Sequence, residues 1–301
     1  VKPDKPINLE VRTAPFGFGD YTLTVTSFDE AGKALGSFAI PHTRVKPPWW
    51  ECKAGISDKV MPDWEPVVID VDGGSAKGDD AAATVARIGL RTIHLAASGL
   101  PRRIVSQGED ILTGPVEMTA TVDGTEVAFT AVAGSFRAET KGEVRADFSG
   151  TAKAGGVTAS TKGFLEFDGF MWFEVTLTGE PLSKLQLRIP YAGDAAKLLH
   201  AWGGNSWFRD PMNVRIMELP RSSGTVFSSL DKKLIRTAEG LRGSFIPYAF
   251  LTGDRRGMAW FAENDRGWTQ STEKPAIEIE RLANGDVALT LNVIAERVDL
   301  T

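Results

Sequence analysis

The feature that most constrains this chain is the spacing of its apolar residues, which recur at every second position in short runs broken by glycine-bearing turns. A period of two fits strands with one wet and one dry face, and turns this tight join such strands antiparallel. Residues 21–28 alternate, turn at Ala31, Gly32 and Lys33, and resume over 35–40, which predicts a hairpin. Further strands are predicted over 85–96, 116–122, 126–132, 135–138, 143–148, 164–167, 171–178 and 185–189. After Pro190 comes a loop-rich insertion with one short helical candidate, 194–199. Strands return over 245–251, 257–263, 276–281 and 287–295. Turns at Asp123-Gly124, Lys141-Gly142, Gly155-Gly156, Asp168-Gly169 and Asn284-Gly285 punctuate the series at hairpin spacing. The expected fold is all-β: an open sandwich of antiparallel sheets over 46–301, preceded by a small β unit over 1–45 that an Ig-like fold would accommodate.

Residues 42–66 break the pattern with prolines and three tryptophans, Trp49, Trp50 and Trp64. Indoles carry too much apolar area to leave in water, so this segment is expected to be an ordered connector that packs the small unit on the sandwich. The Gly- and Asp-rich run 70–80 reads as a surface loop. The biased Ala/Gly/Thr stretch 151–162 is too short to count as low complexity.

Composition narrows the function. A net charge of -5, from 34 basic and 39 acidic residues, leaves no electrostatic footprint for nucleic acid or anionic lipid. No apolar run approaches the roughly 18 residues of a membrane span, so none is expected. The first residues hold neither an initiator Met nor a signal peptide, which predicts a mature or excised piece. The single cysteine, Cys52, excludes an internal disulfide, and His42, His94 and His200 are too scattered for a zinc site. Counting Asp70 as the first position of a calcium loop puts Ala81 where the bidentate Glu belongs. No phosphate-binding glycine motif or nucleophile elbow is present either, and no cofactor is expected.

Two clusters remain. In GMAWFAENDRGW (257–268), a strand continuing through Asp265 would put Glu263 and Asp265 on one face, with Cβ atoms about 6.5 to 7 Å apart. That spacing permits the paired-carboxylate work of a glycosidase without diagnosing it, and turn carboxylates are more often structural. In HAWGGNSWFRD (200–210), His200, Trp202, Trp207 and Arg209 crowd a glycine-bearing loop, and Trp268 closes the first motif. Indole faces stack on the C–H faces of sugar rings while polar neighbours take the hydroxyls, so these residues are candidate substrate contacts. The alternative is that they plug the end of the sandwich.

Three segments in order resemble a bacterial family of glycoside-hydrolase-like proteins of undefined activity, the DUF6067 group: PWWECKAGISDKVMPDWEP (48–66), GLPRRIVSQGEDILTGP (99–115) and PYAFLTGDRRGMAWFAENDRGW (247–268). The resemblance covers roughly 45–301 and departs from the family pattern at Lys53, usually Asn, and Asp63, usually a second Pro. It implies a galactose-mutarotase-like β-supersandwich, a glycan partner, and a secreted or periplasmic location. It also implies a catalytic TIM barrel following in the chain, for which this sequence has no strand–helix alternation. The resemblance transfers no catalytic residue. The expected function is therefore support or shaping of a glycan site. The alternatives are a glycoside-active enzyme using Glu263 and Asp265, and a non-catalytic protein-interaction module.

Overall fold

The computed structural model describes residues 11, 15–71, 84–202, 214–231 and 244–300. The chain divides into two compact units, Val1–Ile56 and Ser57–Thr301.

The first unit contains one hairpin, β1 (Gly19–Phe28) and β2 (Ala34–Arg44), with Val25 opposite Phe38 and Leu23 opposite Ile40. Its turn is set by Asp29, whose carboxylate accepts the N–H groups of Ala31 at 3.0 Å and Lys33 at 2.8 Å. Trp50 meets Phe18 edge-on, with ring centroids 4.8 Å apart, and the Arg44 guanidinium lies 4.9 Å from the Phe18 centroid. Trp50 thus finds apolar cover inside its own unit. Trp64 belongs to the second unit and meets Phe167 at 5.3 Å.

The second unit is built from antiparallel sheets. Strands β3 (Val68–Val71), β4 (Thr84–Ile88), β5 (Arg91–Leu95), β6 (Pro101–Ser106) and β7 (Glu109–Asp110) form a meander. After β8 (Glu117–Val122) and β9 (Thr125–Ala128) comes a sheet of β10 (Thr130–Ala131), β11 (Arg137–Lys141), β12 (Arg145–Ala154), β13 (Val157–Glu166) and β14 (Met171–Gly179). In it, β12 pairs with both β10 and β11, and then β13 and β14 follow. Strand β15 (Leu182–Tyr191) leads to β16 (Leu198–Trp202), β17 (Val214–Glu218), β18 (Gly224–Ser228), β19 (Tyr248–Thr252), β20 (Gly257–Phe261), β21 (Ile277–Arg281) and β22 (Val287–Ile294). These complete a six-stranded sheet of order β18-β21-β22-β15-β8-β9 and a four-stranded sheet of order β17-β16-β19-β20. The expected all-β, antiparallel class is what the chain adopts.

One local expectation needs correction. The helical candidate 194–199 is a single 3-10 turn, Gly193–Ala195, followed by strand β16. Buried Leu199 and Ala201 flank half-buried His200, a period of two that a helix would have broken. The biased stretch 151–162 is the paired run of β12 and β13. Its small side chains Ala152, Ala154 and Ala159 are buried, so their size reflects close packing. The surface-loop reading of 70–80 lies largely outside the described residues, although Asp70 and Val71 belong to β3.

A large core draws on all four sheets of this unit and includes Ile93, Leu165, Tyr191, Leu251, Ile279 and Leu289. A smaller one packs β8, β15 and β22 against β13 through Met118, Ala120, Val157, Ala159, Leu185 and Ile294. Main chains approach closely at Gly150 in β12, where a Cβ atom would stand 2.5 Å from Ala97 O, Gly99 N and Ser98 C.

Arg256 ties the sheets together at one end. Its guanidinium forks onto Asp194 at 2.8 and 2.7 Å, contacts Glu109, and donates to the Asp110 carbonyl at 3.0 Å. Beside it, Arg103 grips the Asp110 carboxylate at 2.6 and 3.0 Å and holds that carboxyl below the usual carboxylate range. A depressed folded value means this stabilisation is present above the ordinary aspartate pKa and is lost as pH falls through and below it. Both side chains are about half exposed. Asp110→Asn should therefore flatten acid unfolding below about pH 4 by less than about 1 kcal/mol in urea titrations. An unchanged acid limb would count against the pair.

Candidate functional site

The β11–β14 sheet shows its alternation on both faces. Ala146, Phe148 and Leu165 point into the core, and the residues between them point outward. Antiparallel register lines the outward positions into rows. Glu139, Asp147, Phe164 and Trp172 form one row from β11 to β14, and Arg137, Ser149, Lys162 and Glu174 form the next. Neighbours within a row have Cβ atoms about 4.5 to 5.5 Å apart, so each row acts as one surface.

These rows line an open cleft of about 670 Å³, a size typical of small-molecule sites. Arg145 stands over the Phe164 ring at 3.8 Å and donates through Nε to Asp147 at 2.5 Å. One stack therefore presents a carboxylate, a guanidinium and an aromatic ring together. The aromatic surface continues beyond the sheet. Phe164 and Phe170 are 5.9 Å apart, Phe170 and Phe261 5.6 Å, and Trp172 and Phe261 6.2 Å. Phe170 is 36% exposed and Phe261 40%, so the cluster is a surface platform rather than core.

Two fold details place these rings. Gly163, between Lys162 and Phe164, leaves room for the Phe148 ring beneath the sheet; a Cβ there would stand 2.5 Å from two of its atoms. The Arg256 clamp fixes the turn before β20, and β20 ends at Phe261. The cleft lining balances three cations, Arg137, Arg145 and Lys162, against three carboxylates, Glu139, Asp147 and Glu174. Such a surface offers donors, acceptors and apolar faces without net charge.

The residues singled out from the sequence lie apart from this cleft or beyond what is described. Strand β20 stops at Phe261, so the shared strand face expected for Glu263 and Asp265 does not form. A turn replaces it: the Asn264 side chain accepts the Arg266 N–H at 2.9 Å, and the Asp265 carbonyl accepts the Trp268 N–H at 3.1 Å. The Asp265 carboxylate accepts from Gln270 at 2.9 Å, and Glu263 is exposed with no ion pair among the described residues. Trp268 packs on Phe245 at 5.1 Å and Trp260 at 5.7 Å, against the main core. His200 sits mid-strand in β16, 5.3 Å from the Tyr248 ring. Trp207 and Arg209 lie outside the described residues, as does the Trp202 side chain.

Sequence reading passed over the whole cleft lining. The signal was there: Phe164 and Trp172 fall on the polar parity of alternating strands, where a large aromatic has no core to fill.

A family model described as the third domain of glycoside hydrolase 123 matches residues 81–211. This stretch is thus glycoside-hydrolase-like and rich in β structure. Every residue of the cleft falls inside it. No curated protein matches the chain.

Proposed function

We propose that this chain is the carbohydrate-associated β region of a glycoside-hydrolase-like protein, and that the cleft over β11–β14 holds a glycan whose bond chemistry is done elsewhere in that protein. The observation that carries the reading is the outward row of Phe164 and Trp172 beside the Arg145–Asp147 pair, within the matched residues. Aromatic rings on a rigid sheet take the apolar face of a pyranose, and the flanking charged groups take its hydroxyls. The similarity to a glycoside hydrolase domain and the resemblance of three sequence segments to a glycoside-hydrolase-like family support the same assignment.

The test is a neutral glycan array probed with the 301-residue chain, followed by calorimetry on the best ligand. Trp172→Ala should weaken binding about tenfold through lost stacking area, with the melting temperature changed little because the ring is on the outer face. Binding unaffected by Trp172→Ala would sink the assignment of the cleft.

A further inference from the structure

A second aromatic depression, sharing no lining residue with the cleft, reaches the β13–β14 turn at Phe167. About 270 Å³ in volume, it is lined by Asp63, Trp64, Glu65, Arg91, Gln107 and Phe167, among others. Trp64 is 43% exposed although its ring meets Phe167 at 87°, so the phenylalanine props the indole without covering it. Arg91 donates to the Asp168 carbonyl at 2.7 Å and fixes the turn that carries Phe167. Asp63 and Gln107 hold positive φ angles of 74° and 53°. Gln107 with Gly108 (φ 82°) forms the two-residue β6–β7 turn, a turn type that takes positive φ at both positions, and this turn fixes Gln107 at the rim of the depression.

The turn joins the two depressions. Phe167 belongs to the smaller one, and Phe170, three residues later, stacks with Phe164 and Phe261 at the cleft. Three virtual bonds of about 3.8 Å put their Cα atoms no more than about 11 Å apart. A ligand long enough to reach from one depression to the other would pass this turn, with Phe167 and Phe170 about one sugar ring apart.

We infer that the Trp64 depression is a second sugar-ring site, which makes the ligand of this domain a neutral oligosaccharide lying across the β13–β14 turn. The inference rests on the cleft being a glycan site. Its volume suits a single ring, while the cleft, more than twice as large, has room for more. The charge class follows from the lining. Two carboxylates, Asp63 and Glu65, outnumber the one guanidinium, Arg91, which donates to the Asp168 backbone carbonyl, so the net negative lining disfavours uronate or sulfate groups.

Calorimetry with neutral gluco-, manno- and galacto-oligosaccharides of one to six residues tests this on the full chain. Trp64→Ala should weaken the longer oligomers about tenfold and leave the shortest binders unchanged. Gln107→Gly, which relieves the positive φ and should fold at least as well, should weaken the same long oligomers. Trp172→Ala should weaken every length. Wild-type affinity of Trp64→Ala at all lengths would overturn the second site alone. Equal losses at all lengths would do the same by showing a structural role. If Trp172→Ala is silent while Trp64→Ala is not, the cleft reading falls and the oligosaccharide path with it. Preference for uronic or sulfated oligomers would overturn the neutral assignment, and no binding by the wild type would end both proposals.

Discussion

Gly150→Val should destabilise the second unit by about 3 kcal/mol, near the upper end of overpacking penalties. The side chain would not meet a flexible neighbour. Its Cβ would fall 2.5 Å from three backbone atoms of residues 97–99, and a turn cannot retreat as a side-chain tip can. That turn is itself committed: Gly99 has φ +84, and a Cβ on it would stand 3.1 Å from Thr161 on the neighbouring strand. Two main chains touch here with no side chain between them. For a unit of this size the loss corresponds to a melting temperature lowered by about 9 °C. Gly108→Ala is the control: Gly108 faces open space, so its only cost is the strain of its positive φ, which Gly150 does not have. A loss at Gly150 no larger than at Gly108 would show that the contact is not tight.

Alkaline unfolding should be steep because of Tyr191. Its side chain is fully buried at the end of β15, its hydroxyl donates to the Met258 carbonyl at 3.3 Å, and burial pushes its pKa well above the ordinary tyrosine range. With the folded value raised, the native state keeps the proton that the unfolded chain releases above about pH 10. Stability is therefore whole below that pH and falls by on the order of 1 kcal/mol per pH unit as pH rises above it. Tyr191→Phe should lose about 1 kcal/mol at neutral pH with its hydrogen bond and then outlast the wild type at high pH. Denaturant titrations between pH 9 and 12 would show the two curves crossing; parallel curves would rule out Tyr191 as the source.

The fold class was legible because alternation and glycine turns are local signals, and each predicted strand lies on or beside an observed one. Strands rich in alanine were harder to see. In 151–162 the packing that buries Val157 and Ala159 comes from β8, β15 and β22, distant in sequence, and small side chains mark no apolar stripe. The Phe164–Trp172 row was missed for a related reason. Each strand was read for its core face, and the outward aromatics become a surface only when register brings β13 and β14 together. Attention went instead to GMAWFAENDRGW, where clustered carboxylates suggested chemistry. There Asn264 and Asp265 turn the chain and Trp268 joins the core.

Strands β12 to β14 each interleave two messages, one written at the buried positions and one at the exposed. Ala146, Phe148 and Leu165 answer to the core, while Arg145, Asp147 and Phe164 answer to whatever lies in the cleft. On the proposed reading of the cleft, exchanges on the outer parity would alter ligand preference over generations while the buried parity keeps the scaffold. A loop-borne site lacks that freedom, because there the same residues set both shape and recognition.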